Sequence, residues 1–286
     1  MVGPSAPGAF DLGKGTASRV ELRDAARMPV LGLGVWQTPS GRACREAVGA
    51  ALELGYRLID TATLYGNESD VGAAVRASGI PREEVFVTTK LWNDDQGYEP
   101  ALRAFERSER NLGLGPIDLY LVHWPVPGRR LESWRALRTL RKEGRVRSIG
   151  VSNFTVAHLE ELLAASDEVP VVNQVEFSPF LFQRELLAYC RAHRIQLEAY
   201  APLTRGRRLD DPAVERIASA HGRTAAQVVL RWGLEHGVVV IPKSSRRERI
   251  AENARLFDFE LTPQEMRTLD GLDVAFRTTW DPSGMP

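Results

Sequence analysis

Beyond its first 18 residues the chain alternates between two kinds of pattern. Short, almost uninterrupted apolar runs, such as Val85-Phe86-Val87 and Val238-Val239-Val240-Ile241, suit parallel strands covered on both faces. Longer segments with apolar residues every three or four positions suit helices that bury one side. The runs predict strands over 19–22, 29–35, 56–60, 85–90, 117–123, 146–152, 171–176, 196–200 and 238–242. The spaced segments predict helices over 42–54, 71–77, 101–112, 131–142, 156–165, 184–193, 213–220, 225–235 and 247–256. A further helix opens at Thr262, where Thr262-Pro263 followed by Glu265 forms a capping signature. With the strand near 31–35 counted first, eight βα units follow. That count favours a (β/α)₈ TIM barrel, with the segment at 19–22 in an N-terminal β-hairpin cap. No G-x-G-x-x-G follows the first strand, which weakens the open dinucleotide-binding sheet as an alternative.

Length agrees with this: 286 residues suffice for one large α/β barrel. The expected organisation is a single catalytic domain over 19–286, preceded by a flexible leader at 1–18 rich in Gly, Pro, Ala and Ser. That leader lacks the basic end and apolar stretch of a signal peptide. Lys+Arg and Asp+Glu are both 37, so nothing in the charge balance calls for nucleic acid or an anionic membrane as partner. Cys44 and Cys190 make neither a disulfide scaffold nor a zinc motif. A cytoplasmic monomer without a metal is the expectation.

In barrels of this kind the chemistry sits at the C-terminal ends of the strands. Those ends carry Asp60, Lys90, His123, Ser152-Asn153, Gln174, Tyr200 and Lys243-Ser244, with Tyr65 on the loop five positions beyond Asp60. Each has an ordinary explanation taken singly. An aspartate ending a strand commonly caps a helix, a lysine there is usually solvated, and a histidine often makes a structural hydrogen bond. Their conjunction at three successive strand ends is what points to a site. Lysine usage sharpens the point, because only Lys14, Lys90, Lys142 and Lys243 stand against an otherwise arginine-based complement of cations. Two of these four are at strand ends, where a compact ammonium does what a planar guanidinium cannot.

Gly55-Tyr56-Arg57-Leu58-Ile59-Asp60-Thr61-Ala62 followed by Tyr65-Gly66-Asn67-Glu68 resembles the aldo-keto reductases. The likeness continues through Lys90-Leu91-Trp92-Asn93, Leu121-Val122-His123-Trp124-Pro125, Gly150-Val151-Ser152-Asn153, Asn173-Gln174-Val175-Glu176, Tyr200-Ala201-Pro202-Leu203 and Pro242-Lys243-Ser244. The run Asn93-Asp94-Asp95-Gln96-Gly97-Tyr98 is most similar to bacterial members such as the diketogluconate reductases. The resemblance implies NADPH-dependent reduction of a small aldehyde or ketone. Tyr65 would be the general acid, and Lys90, held by Asp60, would lower the pKa of its phenol. His123 would orient the carbonyl oxygen.

On the same grounds Tyr200 would stack on the nicotinamide, and Ser152, Asn153 and Gln174 would bind its carboxamide. Leu203 would belong to the same cofactor channel. Lys243, Ser244 and Arg249 would hold the 2′-phosphate, with Glu252 and Asn253 on the adenine. Trp36, Trp92 and Trp124 would wall the substrate pocket.

Two departures qualify the likeness: Ser178 stands where many members carry histidine, and Ser245-Arg246 replaces a hydrophobic-threonine pair. The role of Arg246 and Arg247 stays open at this point. The short segments at 125–131 and after 273 imply an open pocket and broad substrate range. Two other readings remain: a Schiff-base aldolase using Lys90 as nucleophile, and a nicotinamide-nucleotide-binding protein without turnover.

Overall fold

A computed structural model of the protein describes residues 10–285. Two antiparallel strands come first, β1 (Arg19–Glu21) and β2 (Arg27–Pro29), paired through Val20 and Met28. Eight parallel strands follow: β3 (Leu33–Gly34), β4 (Leu58–Asp60), β5 (Phe86–Leu91), β6 (Ile117–Val122), β7 (Val146–Ser152), β8 (Val172–Glu176), β9 (Gln196–Tyr200) and β10 (Val239–Val240). They form one sheet in chain order. The sheet curls until its edges meet, with Leu31 bridging Val240 and Gly34 bridging Lys243. Gly32 N donates to Val240 O at 2.9 Å and Val240 N to Val30 O at 3.0 Å across this seam. The stretch expected as one strand over 29–35 is divided, because Pro29 belongs to the hairpin and only Leu33–Gly34 runs with β4.

Helices fill the crossovers: α1 (Arg42–Glu53), α2 (Glu68–Ala77), α3 (Tyr98–Leu112), α4 (Arg130–Lys142), α5 (Val156–Ala165), α6 (Arg184–Ala192), α7 (Pro212–His221), α8 (Ala225–Glu235), α9 (Arg247–Asn253) and α10 (Pro263–Asp270). Their starts follow local chemistry. Thr155, Thr224 and Thr262 each cap a helix reciprocally with the residue three positions on, and Pro212 and Pro263 occupy first turns. The Thr262 signature read in the sequence is one of these.

Two apolar clusters divide the core. The larger lies between sheet and helices. The smaller fills the inside of the curl with Leu58, Phe86, Leu119, Leu121, Val172 and Val239, and includes Leu22 and Met28 from the hairpin. The hairpin therefore plugs the end where the strands begin, leaving the opposite end free for polar side chains.

The segment expected as a flexible leader over 1–18 is described only from Phe10 onward. Residues 1–9 lie outside the described residues, but Phe10 and Leu12 pack on the core and Ser18 is fully buried.

Candidate active site

Tyr65 owes its position to a pinned loop. It ends a single helical turn over Thr63–Tyr65, and Gly66 follows at φ 66°, a left-handed conformation that lets the chain turn back at once. Asn67 is fully buried and anchors the turn, accepting from Thr61 Oγ1 at 2.7 Å and donating to Val35 O at 3.1 Å and Thr38 O at 3.2 Å. The Tyr65 ring sits edge-on to His123, with centroids 5.9 Å apart.

Lys90, one residue before the end of β5, is 0 % exposed. Its ammonium donates to Asp60 Oδ1 at 2.6 Å, to Thr61 O at 2.9 Å and to Tyr65 Oη at 3.3 Å, which uses all three of its N–H groups. Burial disfavours this cation, yet the negative charge of Asp60, with Tyr65 as a smaller contributor, holds its pKa above the ordinary lysine value. A buried ammonium so committed is a poor nucleophile, which counts against the Schiff-base aldolase reading.

The downward pull of Lys90 on the Tyr65 phenol is present as expected, but burial outweighs it and the net direction is upward. Tyr65 is consequently a phenol, not a phenolate, at neutral pH. His123 is also buried, just after β6, and burial followed by the repulsion of Lys90 drives its pKa well below the usual histidine value. Its ring is therefore neutral, and its buried Nδ1 has no hydrogen-bond partner.

Around this floor opens a cleft of about 1130 Å³. Asp60, Tyr65 and His123 line it, as do Trp36, Trp92 and Trp124, whereas Lys90 and Ser152 lie behind its wall. Asn153, at φ 64°, donates to His123 O at 3.0 Å and accepts from the Tyr200 hydroxyl at 2.8 Å. Ser152 Oγ donates to Gln174 O at 2.8 Å. Gln174 and Tyr200 face the cleft with Leu203, and Lys243, Ser244, Arg249, Glu252 and Asn253 line its other end. All the expected positions thus converge on one cleft or its immediate backing. Arg246 and Arg247 do not: Arg247 pairs with Glu53 at 2.5 Å and Arg246 faces Glu248 at 4.0 Å.

A long cofactor suits this cleft. The described residues show no ion pair for Lys243 or Arg249, two cations facing the end remote from Tyr65. The Tyr200 ring faces the middle, its hydroxyl tied down at Asn153 and at Thr279 Oγ1, 2.9 Å away. Glu252 is held by Thr224 Oγ1 at 2.7 Å.

Several lining residues escaped the sequence reading. Thr278, Thr279 and Trp280 come from the C-terminal segment, and Arg205 places its guanidinium 4.3 Å from the Trp36 ring centroid. Glu176 clamps that segment, accepting from both the backbone and the hydroxyls of Thr278 and Thr279 at 2.5–3.1 Å. Trp280 is thereby set against Trp124 and Trp92, with centroids 5.5 and 6.4 Å away. The pocket expected to be open has a fourth aromatic wall. The signal available was a Thr-Thr-Trp run in an otherwise short tail, but its partner lies 102 positions away.

Comparison with known proteins agrees with the fold. Residues 30–274 match the model of the Aldo/keto reductase family, to which the chain belongs. Glyoxal reductase of Bacillus subtilis is 51% identical over 254 residues, covering 89% of this chain and 92% of that one. A solved variant of Gox0644 in complex with NADPH superposes with a TM-score of 0.87 at 46% identity, covering 93% of this chain and 97% of the other. An aldo-keto reductase of Bombyx mori in complex with NADP gives 0.85 at 36% identity, with coverage of 91% and 94%.

Proposed function

We propose that the protein reduces small aldehydes and ketones to alcohols with NADPH, with Tyr65 as general acid on a closed (β/α)₈ barrel. The observation that carries this reading is the placement of Lys90 Nζ between Asp60 Oδ1 and Tyr65 Oη at the floor of an aromatic-walled cleft. NADPH bound in the cleft would supply the hydride. The chain supplies everything else. Tyr65, protonated at neutral pH, gives its proton to the carbonyl oxygen, and the ammonium 3.3 Å away stabilises the phenolate left behind. The neutral His123 ring donates a hydrogen bond to the same oxygen and fixes its direction. Trp36, Trp92, Trp124 and Trp280 exclude water and hold the apolar part of the substrate.

Asn153, Gln174 and Tyr200 would hold the nicotinamide, with Ser152 behind them accepting from Asn153 Nδ2 at 3.1 Å and Leu203 along the channel. Lys243, Ser244 and Arg249 would take the 2′-phosphate, and Glu252 and Asn253 the adenine. The Asn93–Tyr98 run supports a place near the diketogluconate-reductase-like bacterial members, and the B. subtilis glyoxal reductase supports small carbonyls as substrates.

Loss of NADPH absorbance across a panel of small aldehydes and ketones tests the activity; tight NADPH binding without turnover on any of them would instead support the non-enzymatic reading.

Two variants test the edges of the site. Arg249→Ala is expected to weaken NADPH roughly 10- to 100-fold, the worth of a charged hydrogen bond, while changing NADH little. Equal losses for both nucleotides would place the phosphate elsewhere. Trp280→Ala is expected to raise KM for aromatic aldehydes about tenfold, the scale of one aromatic contact, and to leave short aliphatic ones almost unchanged. A uniform effect on both classes would remove Trp280 from the substrate wall.

A further inference from the structure

One buried carboxyl group beside Asp60, Tyr65, Lys90 and His123 has no part in the chemistry described above. Glu198 lies in β9, fully buried, opposite Gln174 in the pairing of β8 with β9. Gln174 Nε2 donates to Glu198 Oε2 at 2.8 Å and to Asp60 Oδ2 at 2.7 Å. A primary amide has only two N–H groups, so both are spent on carboxylates and its oxygen alone is left for a group in the cleft. Glu198 Oε1 is buried with no partner. The two carboxyl groups and the ammonium of Lys90 therefore form one buried set, bridged by one amide.

We propose that Glu198 is a positioning residue for the carbonyl reduction, acting through Gln174 and through the charge it places behind Lys90 and Tyr65. This rests on the reading of Tyr65 as the acid. The charged and titratable groups facing Glu198 are Asp60 from β4, Lys90 from β5 and Tyr65 from the turn after β4; β10 presents only Val239 in register. Burial, then the charge of Asp60, pushes the Glu198 carboxyl up to about 8, against the pull of Gln174 and Lys90. Glu198 accordingly becomes charged as pH rises through that value.

The direction of its effect follows. Negative charge at Glu198 adds to the forces that raise Tyr65 and Lys90. Ionised Glu198 thus helps keep the proton on Tyr65 at alkaline pH, which sustains reduction. It disfavours the phenolate that alcohol oxidation in the reverse direction needs as its base.

Glu198→Gln retains the shape and an acceptor for Gln174 but cannot ionise. The alkaline limb of kcat for reduction should move down by about half to one pH unit, with KM for the carbonyl nearly unchanged. The tyrosinate absorbance titration of Tyr65 in protein without cofactor, isolated by subtracting the Tyr65→Phe titration, should move down equally. Glu198→Asp keeps a charge and should return both towards the parent. Glu198→Thr, also uncharged, serves the same comparison if Glu198→Gln does not fold. An unmoved limb and an unmoved titration in the uncharged variant, whatever its thermal stability, would overturn the proposal. Failure of the acid assignment is separable: Tyr65→Phe would then keep its turnover.

Discussion

Tyr65→Phe is expected to lower kcat for carbonyl reduction by roughly 10²- to 10⁴-fold, the range that a positioned proton donor contributes, while NADPH binds as before. The substitution removes one oxygen and leaves the ring that packs edge-on against His123. The loop stays anchored by Asn67 and Gly66, neither of which depends on the phenol. What disappears is the phenol proton that faces the cleft beside the buried Lys90 ammonium. Stopped-flow turnover paired with fluorescence titration of NADPH separates the two effects. Near-parental turnover in this variant would reject Tyr65 as the acid.

Lys90→Met is expected to abolish measurable reduction and to destabilise the protein by about 3–5 kcal/mol near neutral pH, the cost of leaving one member of a buried ion pair alone. Without the ammonium, Asp60 keeps only Gln174, and it shares that amide with the buried carboxyl of Glu198. The sign of the pH dependence is defined. Burial already raises Asp60 above its ordinary carboxylate value, and loss of Lys90 raises it further. The folded variant therefore retains a proton that the unfolded chain releases. Its deficit is small below the unfolded carboxylate pKa and grows as pH rises through the folded one.

Asp60→Asn combined with Lys90→Met should recover much of the stability, because no unpaired charge stays buried, and none of the turnover. Urea denaturation at acid and neutral pH, with turnover measured on both variants, checks this. A double variant no more stable than Lys90→Met would mean that Lys90 stabilises by packing, not by charge.

Much of this architecture could be read from the chain alone. The two kinds of apolar spacing placed nearly every element; the segment read as a strand over 146–152 and the helices read over 156–165 and 225–235 coincide with β7, α5 and α8. Strand ends placed Asp60, Lys90, His123 and Tyr200 at one rim, since a parallel sheet in chain order brings all its C-terminal ends to the same side. Periodicity is a local property, carried by neighbours within a few residues. It survives into the fold because burying one helix face or both strand faces is how each element is stabilised.

Other features depend on residues far apart in the chain. Glu198 lies two positions before Tyr200, on the same side of β9, but only the register of β8 with β9 brings it against Gln174, and only the curl of the sheet brings Gln174 to Asp60, 114 positions away. The Glu176 clamp on Thr278 and Thr279, which turns Trp280 into a wall, is equally remote. The sign of the Tyr65 shift was beyond the sequence for a different reason. Proximity to Lys90 was legible in the motif, but the penalty for burying the phenolate is a property of everything packed around it, and here that penalty exceeds the attraction of the ammonium. The order of elements and the identity of the reactive groups follow from short-range pattern; their charge states and the shape of the pocket follow from desolvation and long-range contact.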